Sequence, residues 1–209
     1  MRSVFEAAGG DEGLLRLAEA WHARVMADEV VSHAFSHGYH PQHSERLAAY
    51  WAEALGGPPT YSERYGDETA VVRIHSGNGL HEEMDQRAIA CFDQALGDAG
   101  LTEEPLRRVL HDYFAWATTT TMSAFHHSAD DVPQGLSIPR WSWGGLETSR
   151  IDQIERLLND RGRRVGPVRI AAGRSGIAVA FPRDPMLHLS WAALAAITGL
   201  IVAIKVRRS

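Results

Sequence analysis

Three histidines are the residues of this chain best suited to chemistry, and each lies on or beside an apolar helical face. His22 and His43 follow the apolar stripes of two amphipathic segments, and His75 lies between a loop-rich connector and a third such segment. Burying an imidazole costs free energy unless both nitrogens find partners. Three such rings predict that the core holds a group that binds nitrogen. Since neutral imidazole is a common ligand of haem iron, we interpret that group as a haem.

The composition is that of an ordinary soluble domain and excludes some classes of function. Of the 209 residues, 44% are hydrophobic and 22% are charged, with a net charge of −5. No basic face emerges in the first 150 residues, so we expect no nucleic-acid partner. Cys91 is the only cysteine, which excludes an internal disulfide and agrees with a reducing compartment. The N-terminal residues lack the apolar stretch of a secretion signal, so we expect a cytoplasmic protein.

Hydrophobic periodicity predicts an all-α main domain over residues 1–147. The pattern predicts four longer helices, over residues 11–26, 41–55, 82–96 and 103–125. Asp11 and Thr102 are the expected caps of the first and last helix, and Pro41 suits the start of the second. Periodicity is weak over residues 60–74, which are predicted to be a connector with at most one short turn. The segment around Trp141 is expected to pack back on the helices.

The remaining residues, 148–209, are predicted to form a separate C-terminal extension. A short helix is expected over 151–158 and a β-hairpin over 169–181. Residues 186–204 are nearly all apolar and basic residues flank them, a length at the lower edge of a membrane span. A membrane anchor and a docked apolar helix are both consistent with this tail.

Several short motifs of the main domain resemble those of one protein family. They are ERL at residues 45–47, GGP at 56–58, TYSER at 60–64 and Gly66, followed by Arg73 and His75. With these motifs, the chain from about residue 4 to residue 145 resembles the truncated haemoglobins of group II, in particular their actinobacterial branch. The resemblance implies a two-over-two helical sandwich around a b-type haem, with the extension unmatched.

The resemblance also implies roles for individual residues. His75 corresponds to the proximal histidine that ligates the iron. The other positions that it assigns to the haem pocket are His22, Phe35, His43, Leu47 and Ala88, with Arg46 and Tyr61 directed to the propionates. Tyr50 is either core packing or a further haem contact.

Two positions depart from the family pattern. His22 stands where the family has a distal tyrosine, and Ala88 replaces a tryptophan that normally covers the distal pocket. The usual hydrogen bonds to bound oxygen therefore need other donors, and His22 and His43 are the candidates. Either imidazole is alternatively a second ligand of the iron.

Three functions follow from this interpretation. The first is binding of O2, NO or CO, for oxygen transport or gas detoxification. The second is an enzyme at the same iron, a nitric oxide dioxygenase or a peroxidase-like oxidoreductase, with His22 or His43 as acid–base group. The third is a haem-based sensor with a membrane-associated tail. No G-x-G-x-x-G fingerprint for a flavin or nicotinamide is present, so any reductant would come from an external reductase.

Overall fold

The computed structural model describes residues 2–147, 169–173 and 176–180. The chain divides into two compact units, Met1–Glu147 and Thr148–Ser209. The described part of the first unit holds seven α-helices: α1 (Val4–Ala7), α2 (Gly10–Ala27), α3 (His43–Ala54), α4 (Thr60–Arg64), α5 (Glu68–Ile74), α6 (Glu82–Asp98) and α7 (Leu106–Trp116). A 3-10 helix, Val31–Phe35, connects α2 to the loop before α3.

Two helix pairs form the core of the first unit. Helix α2 contacts α3, α6 contacts α7, and α2 also contacts α6. The rings of Phe92 and Phe114 stack with their centroids 4.1 Å apart, and Trp51 meets both rings edge-on. Such aromatic pairs stabilise a core beyond the area that they bury. The pairs α2/α3 and α6/α7 form the predicted two-over-two sandwich, so the predicted all-α fold class is confirmed.

The predicted end of α3 is confirmed, and two glycines in the turn that follows explain why the helix stops there. Gly56 has a φ of +93°, a conformation that favours glycine. A Cβ on Gly57 would lie 2.9 Å from the ring of Phe5 and 2.7 Å from the carbonyl oxygen of Ala52. These two glycines therefore allow α3 to end sharply against α1.

The predicted connector over residues 60–74 is wrong, because α4 and α5 lie there. Helix α5 begins at a cap in which the Asp67 side chain accepts a hydrogen bond from the amide of Ala70, at 2.8 Å. Val71 and Val72 bury its inner face. Helices of five and seven residues span at most two turns, which is too short for a clear helical period.

The ends of other helices also differ from the predictions. Helix α2 starts at Gly10, so Asp11 lies in its first turn, where a negative charge is favoured by the helix dipole. Helix α7 starts at Leu106 and continues as a π-helix, Ala117–Met122, short of the predicted residue 125.

A C-terminal segment closes the first unit. It contains a 3-10 helix, Ala129–Asp131, and two short antiparallel strands, β1 (Trp141–Ser142) and β2 (Gly145–Leu146). These strands were not predicted. Trp141 is buried, and its ring lies against the rings of Tyr113 and Trp116. This confirms the expectation that the segment around Trp141 packs back on the helices.

The described part of the second unit is an antiparallel pair, β3 (Arg169–Gly173) and β4 (Gly176–Ala180). This pair confirms the predicted hairpin. The helix predicted over 151–158 and the apolar stretch over 186–204 lie outside the described residues. Among the described residues, no helix is long and apolar enough to cross a membrane.

Candidate functional site

His75 caps the C-terminal end of α5 and has one nitrogen fixed by the backbone. Its Nδ1 lies 2.8 Å from the carbonyl oxygen of Val71, one turn earlier in the helix. A carbonyl oxygen only accepts hydrogen bonds, so Nδ1 carries the proton and donates it. The lone pair of Nε2 is therefore available to a metal, and the hydrogen bond orients the ring, as for many metal-ligating histidines.

His75 is exposed at the surface, yet protein surrounds part of its ring. Desolvation by this surrounding protein lowers the pKa of His75, while the bond to Val71 acts in the opposite direction. Two large apolar side chains beside it, Ile74 and Leu80, are 74% and 62% exposed, which offers apolar surface to a flat hydrophobic ligand.

His22 on α2 and His43 on α3 face each other across a small aromatic cluster. Their ring centroids are 5.0 Å apart, and Phe35 lies edge-on to both at 5.5 and 5.4 Å. The Nδ1 atom of each ring is buried and has no hydrogen-bond partner within the described chain. Buried polar atoms without partners are rare in folded proteins and often mark functional sites. The structure thus brings together three residues that the resemblance assigned to the haem pocket, two of them, His22 and His43, as distal candidates.

Tyr39 belongs to the same cluster and was missed by the sequence analysis. Its ring lies 4.7 Å from that of His22 and 5.9 Å from that of His43, edge-on in both cases. The side chain is 49% exposed. It comes from the loop between the 3-10 helix and α3, a polar turn whose sequence carries no periodic signal.

The imidazoles of His22 and His43 are uncharged at neutral pH. Burial, together with smaller contributions from the neighbouring His22 and His75, lowers the pKa of His43 to about 4. Burial also lowers the pKa of His22. A neutral imidazole keeps one N–H donor and one acceptor nitrogen.

Ala88 and Leu47 lie at the apolar margin of this region. Ala88 on α6 is buried in a small cluster with Val25, against which Phe35 and Trp21 pack. Its carbonyl oxygen accepts a hydrogen bond from Nε1 of Trp21 at 3.2 Å. Leu47 is half-buried on α3 and packs against the main core.

Arg46 and Tyr61 both lie near Tyr65, since the guanidinium of Arg46 is over the Tyr65 ring and the rings of Tyr61 and Tyr65 are 5.9 Å apart. Arg46 donates a hydrogen bond to the carbonyl oxygen of Tyr65 at 3.1 Å, and its guanidinium lies 5.1 Å from the centre of the Tyr65 ring. Burial raises the pKa of Tyr61, while the nearby Arg46 acts in the opposite direction. This cluster offers one cation and one phenol to an acidic group.

Tyr50 has a hydrogen bond that the sequence did not indicate. Its hydroxyl donates to Oε2 of Glu68 at 2.8 Å, which joins α3 to α5 in the interior. Glu68 is 2% exposed, and its Oε1 has no partner among the described residues. Burial raises the pKa of Glu68 to about 7, although the bond from Tyr50 acts against this shift.

The comparison with protein families identifies this arrangement. Residues 3–121, more than half of the chain, match the profile of the family described as bacterial-like globin. The chain belongs to the bacterial-like globins. This is a family of truncated haemoglobins, so the chain is a haem-based gas-binding protein.

Curated proteins and solved structures similar to this globin agree with the family assignment. The group 1 truncated haemoglobin GlbN of Mycolicibacterium paratuberculosis is 27% identical over 108 residues, 52% of this chain and 76% of the relative. The haemoglobin of the thermophilic phototroph Chloroflexus aurantiacus is 29% identical, with a TM-score of 0.51, over 58% of this chain and 98% of that one.

Two further solved structures share the fold. The haemoglobin of the actinobacterium Thermobifida fusca is 28% identical, with a TM-score of 0.50, and 58% of this chain and 97% of that one are covered. The group II truncated haemoglobin of Bacillus anthracis has a TM-score of 0.52 at 20% identity, with 58% and 91% covered, which is a likeness of fold alone. Since group 1 and group II proteins both match, the globin's subgroup does not follow from these similarities.

These residues fit a haem. His75 offers a free Nε2 with its tautomer fixed by Val71, and His22 and His43 each carry a buried Nδ1 without a partner among the described residues. Exposed apolar side chains lie next to His75. A ligating nitrogen, an apolar lining and polar groups on the opposite side are the elements with which proteins hold and tune a haem.

Proposed function

We propose that this globin binds O2, and also NO and CO, at a haem b held by His75. The observation that carries the proposal is the 2.8 Å hydrogen bond from Nδ1 of His75 to Val71, which leaves Nε2 free to bind the iron. When bound, haem supplies an iron with a coordination position open to diatomic ligands. The protein supplies the proximal imidazole and the surroundings of the ligand.

The distal residues of the proposal are His22 and His43. Both imidazoles are neutral at pH 7 because burial lowers their pKa values. A neutral ring can donate its N–H to the outer atom of a diatomic ligand, and such a hydrogen bond contributes about 1 kcal/mol. Phe35, Leu47 and Ala88 would line the apolar part of the pocket. Arg46 with Tyr61 would bind the propionates, and Tyr50 would support them from the core.

A group II assignment is part of the proposal. It is supported by the GGP and TYSER motifs at residues 56–58 and 60–64. We further propose that residues 1–147 are the globin domain and 148–209 a separate extension. The single cysteine supports a cytoplasmic location. The apolar residues 186–204 are the candidate segment for attachment to a membrane.

The enzyme alternatives receive less support from the site. Peroxide cleavage needs a group that exchanges a proton near working pH, and the lowered pKa of His43, about 4, makes it a poor proton store at pH 7. Nitric oxide dioxygenation would need an external reductase. We therefore place gas binding first.

The absorption spectrum of the full chain, produced with a supply of haem precursor, tests the proposal. We expect one haem per chain, a haem b by its pyridine haemochrome, and a ferrous spectrum that changes on addition of CO. The ferrous spectrum before CO also shows whether His22 or His43 occupies the sixth position. A folded protein that stays colourless would contradict the proposal.

A further inference from the structure

Residues 123–138, which we term the brace, contact both ends of the helix that carries His75. The family profile matches residues 3–121, so the brace lies outside the matched part of the chain. It follows the π-helix and contains the short 3-10 helix Ala129–Asp131. Val132 and Ile138 are buried and anchor it to the domain.

The first contact is at the N-terminal end of α5. The hydroxyl of Thr69, a residue only 3% exposed, donates to the carbonyl oxygen of Pro133 at 3.1 Å. The hydroxyl oxygen of Thr69 in turn accepts a hydrogen bond from the amide of Leu136 at 3.1 Å. Thr69 therefore satisfies two backbone groups of the brace with one side chain, and buried bonds of this kind are costly to break.

The second contact is in the turn that follows His75. The amide of Gly77 donates to the carbonyl oxygen of Phe125 at 3.0 Å, and the amide of Gly79 donates to that of His126 at 2.9 Å. Gly77 has a φ of +75°, and a Cβ there would lie 3.2 Å from the backbone nitrogen of Ala129. The backbones of the turn and the brace thus approach as closely as a glycine allows.

His75 lies between these two contacts, six residues after Thr69 and two before Gly77. A seven-residue helix has little stability of its own, so its position depends on tertiary contacts. We propose that the brace positions the proximal imidazole, with Thr69 and Gly77 as positioning residues. This inference rests on the proposed role of His75 as iron ligand. Its consequence is that residues beyond the family match control how firmly the globin holds its haem.

Matched variants of the full chain test the brace. Thr69→Val keeps the shape but loses both hydrogen bonds, while Thr69→Ser keeps them. Thr119→Val is the control, because Thr119 is exposed and its hydroxyl bonds to Ala115 within its own helix. Gly77→Ala brings a methyl group against Ala129. Gly79→Ala is its control, because Gly79 has a similar φ of +82° and a Cβ there would have no atom within 4 Å.

Two measurements separate positioning from general stability. Transfer of haem to excess apomyoglobin should be about tenfold faster in Thr69→Val, as the loss of buried hydrogen bonds predicts, and near the parent rate in Thr69→Ser and Thr119→Val. The iron–histidine stretching band, recorded by resonance Raman after CO photolysis, should shift in Gly77→Ala and stay unchanged in Gly79→Ala. If Thr69→Val fails to fold, the comparison of Gly77→Ala with Gly79→Ala still tests the inference.

Parent-like haem transfer in Thr69→Val together with equal bands in both glycine variants would overturn the inference. A parent protein that takes up no haem would instead refute the proposed function. In that event, amide hydrogen exchange of residues 68–79 in the apoprotein still tests the brace. Exchange about tenfold faster in Thr69→Val than in Thr119→Val supports the coupling of brace and helix, and equal exchange contradicts it.

Discussion

The imidazole rings of His22 and His43 lie 5.0 Å apart, and the Nδ1 atom of each is buried without a hydrogen-bond partner in the described chain. The two rings come from different helices, α2 and α3, and Phe35 and Tyr39 enclose them. A folded protein gains nothing in stability from such unpartnered nitrogens. The arrangement is consistent with selection for a ligand rather than for the apoprotein.

His43 should be the main hydrogen-bond donor to the bound gas. Burial lowers the pKa of His43 to about 4, so its ring is neutral and keeps one N–H donor across the neutral pH range. We expect His43→Leu to raise the O2 dissociation rate constant about fivefold, the equivalent of about 1 kcal/mol. Stopped-flow kinetics measures this rate. His43→Gln keeps an N–H donor and should stay within about twofold of the parent; equal rates in all three proteins would refute the assignment.

His22→Leu should stabilise the apoprotein. The substitution removes a buried nitrogen that has no partner among the described residues and leaves an apolar side chain beside Phe35. We expect the free energy of unfolding to rise by roughly 1 kcal/mol, measured by urea denaturation followed by circular dichroism. His33→Leu is the control because His33 is exposed. A loss of stability in His22→Leu would show that Nδ1 has a partner in solution.

Tyr39 should act through its ring and not through its hydroxyl. The ring contacts His22 and His43, and the hydroxyl has no hydrogen-bond partner in the part of the chain described. Tyr39→Ala removes one wall of the distal cluster, so we expect CO association, followed by flash photolysis, to become several-fold faster. Tyr39→Phe should leave the rate unchanged. An equal effect of both variants would assign the role to the hydroxyl instead.

Glu68 should make the stability of the apoprotein depend on pH. Its pKa is about 7 in the folded protein, against an ordinary value of 4.5, so the folded state holds the proton more tightly. Its contribution to the free energy of unfolding is therefore highest below about pH 4.5 and falls as the pH rises to about 7, by about 3 kcal/mol in all. Glu68→Gln, which keeps an acceptor for Tyr50, should remove this fall.

The comparison for Glu68 is Glu63→Gln, since Glu63 is exposed on α4. Denaturation at pH 5 and pH 8 gives two values of the free energy of unfolding for the parent and for each variant. If Glu68→Gln and Glu63→Gln lose the same stability between these pH values as the parent does, the carboxyl of Glu68 is not the origin of the dependence.

The sequence predicted the long helices better than the short ones. Helices α2, α3, α6 and α7 have at least 11 residues, enough turns for an apolar stripe to repeat. Helices α4 and α5 were missed because five and seven residues give too few repeats. The position of α5 depends on a cap at Asp67 and on contacts with the brace, which is distant in sequence.

The contrast between long helices and short segments also holds for the residues of the candidate site. His22 and His43 could be found because each falls on the stripe of a long helix. Tyr39 could not, because the loop that carries its ring has no period. Glu68 gave no signal either: a glutamate in an apparent connector is normally exposed, and only the packing of α5 against Tyr50 buries it.

The haem content of His75→Ala tests the central claim most directly. Haem per chain should be measured by pyridine haemochrome for the parent, for His75→Ala and for His33→Ala, in which an exposed histidine is lost. We predict one haem per chain in the parent and in His33→Ala, and almost none in a folded His75→Ala. Full haem content with an unchanged ferrous spectrum in His75→Ala would contradict the assignment of His75 as the iron ligand.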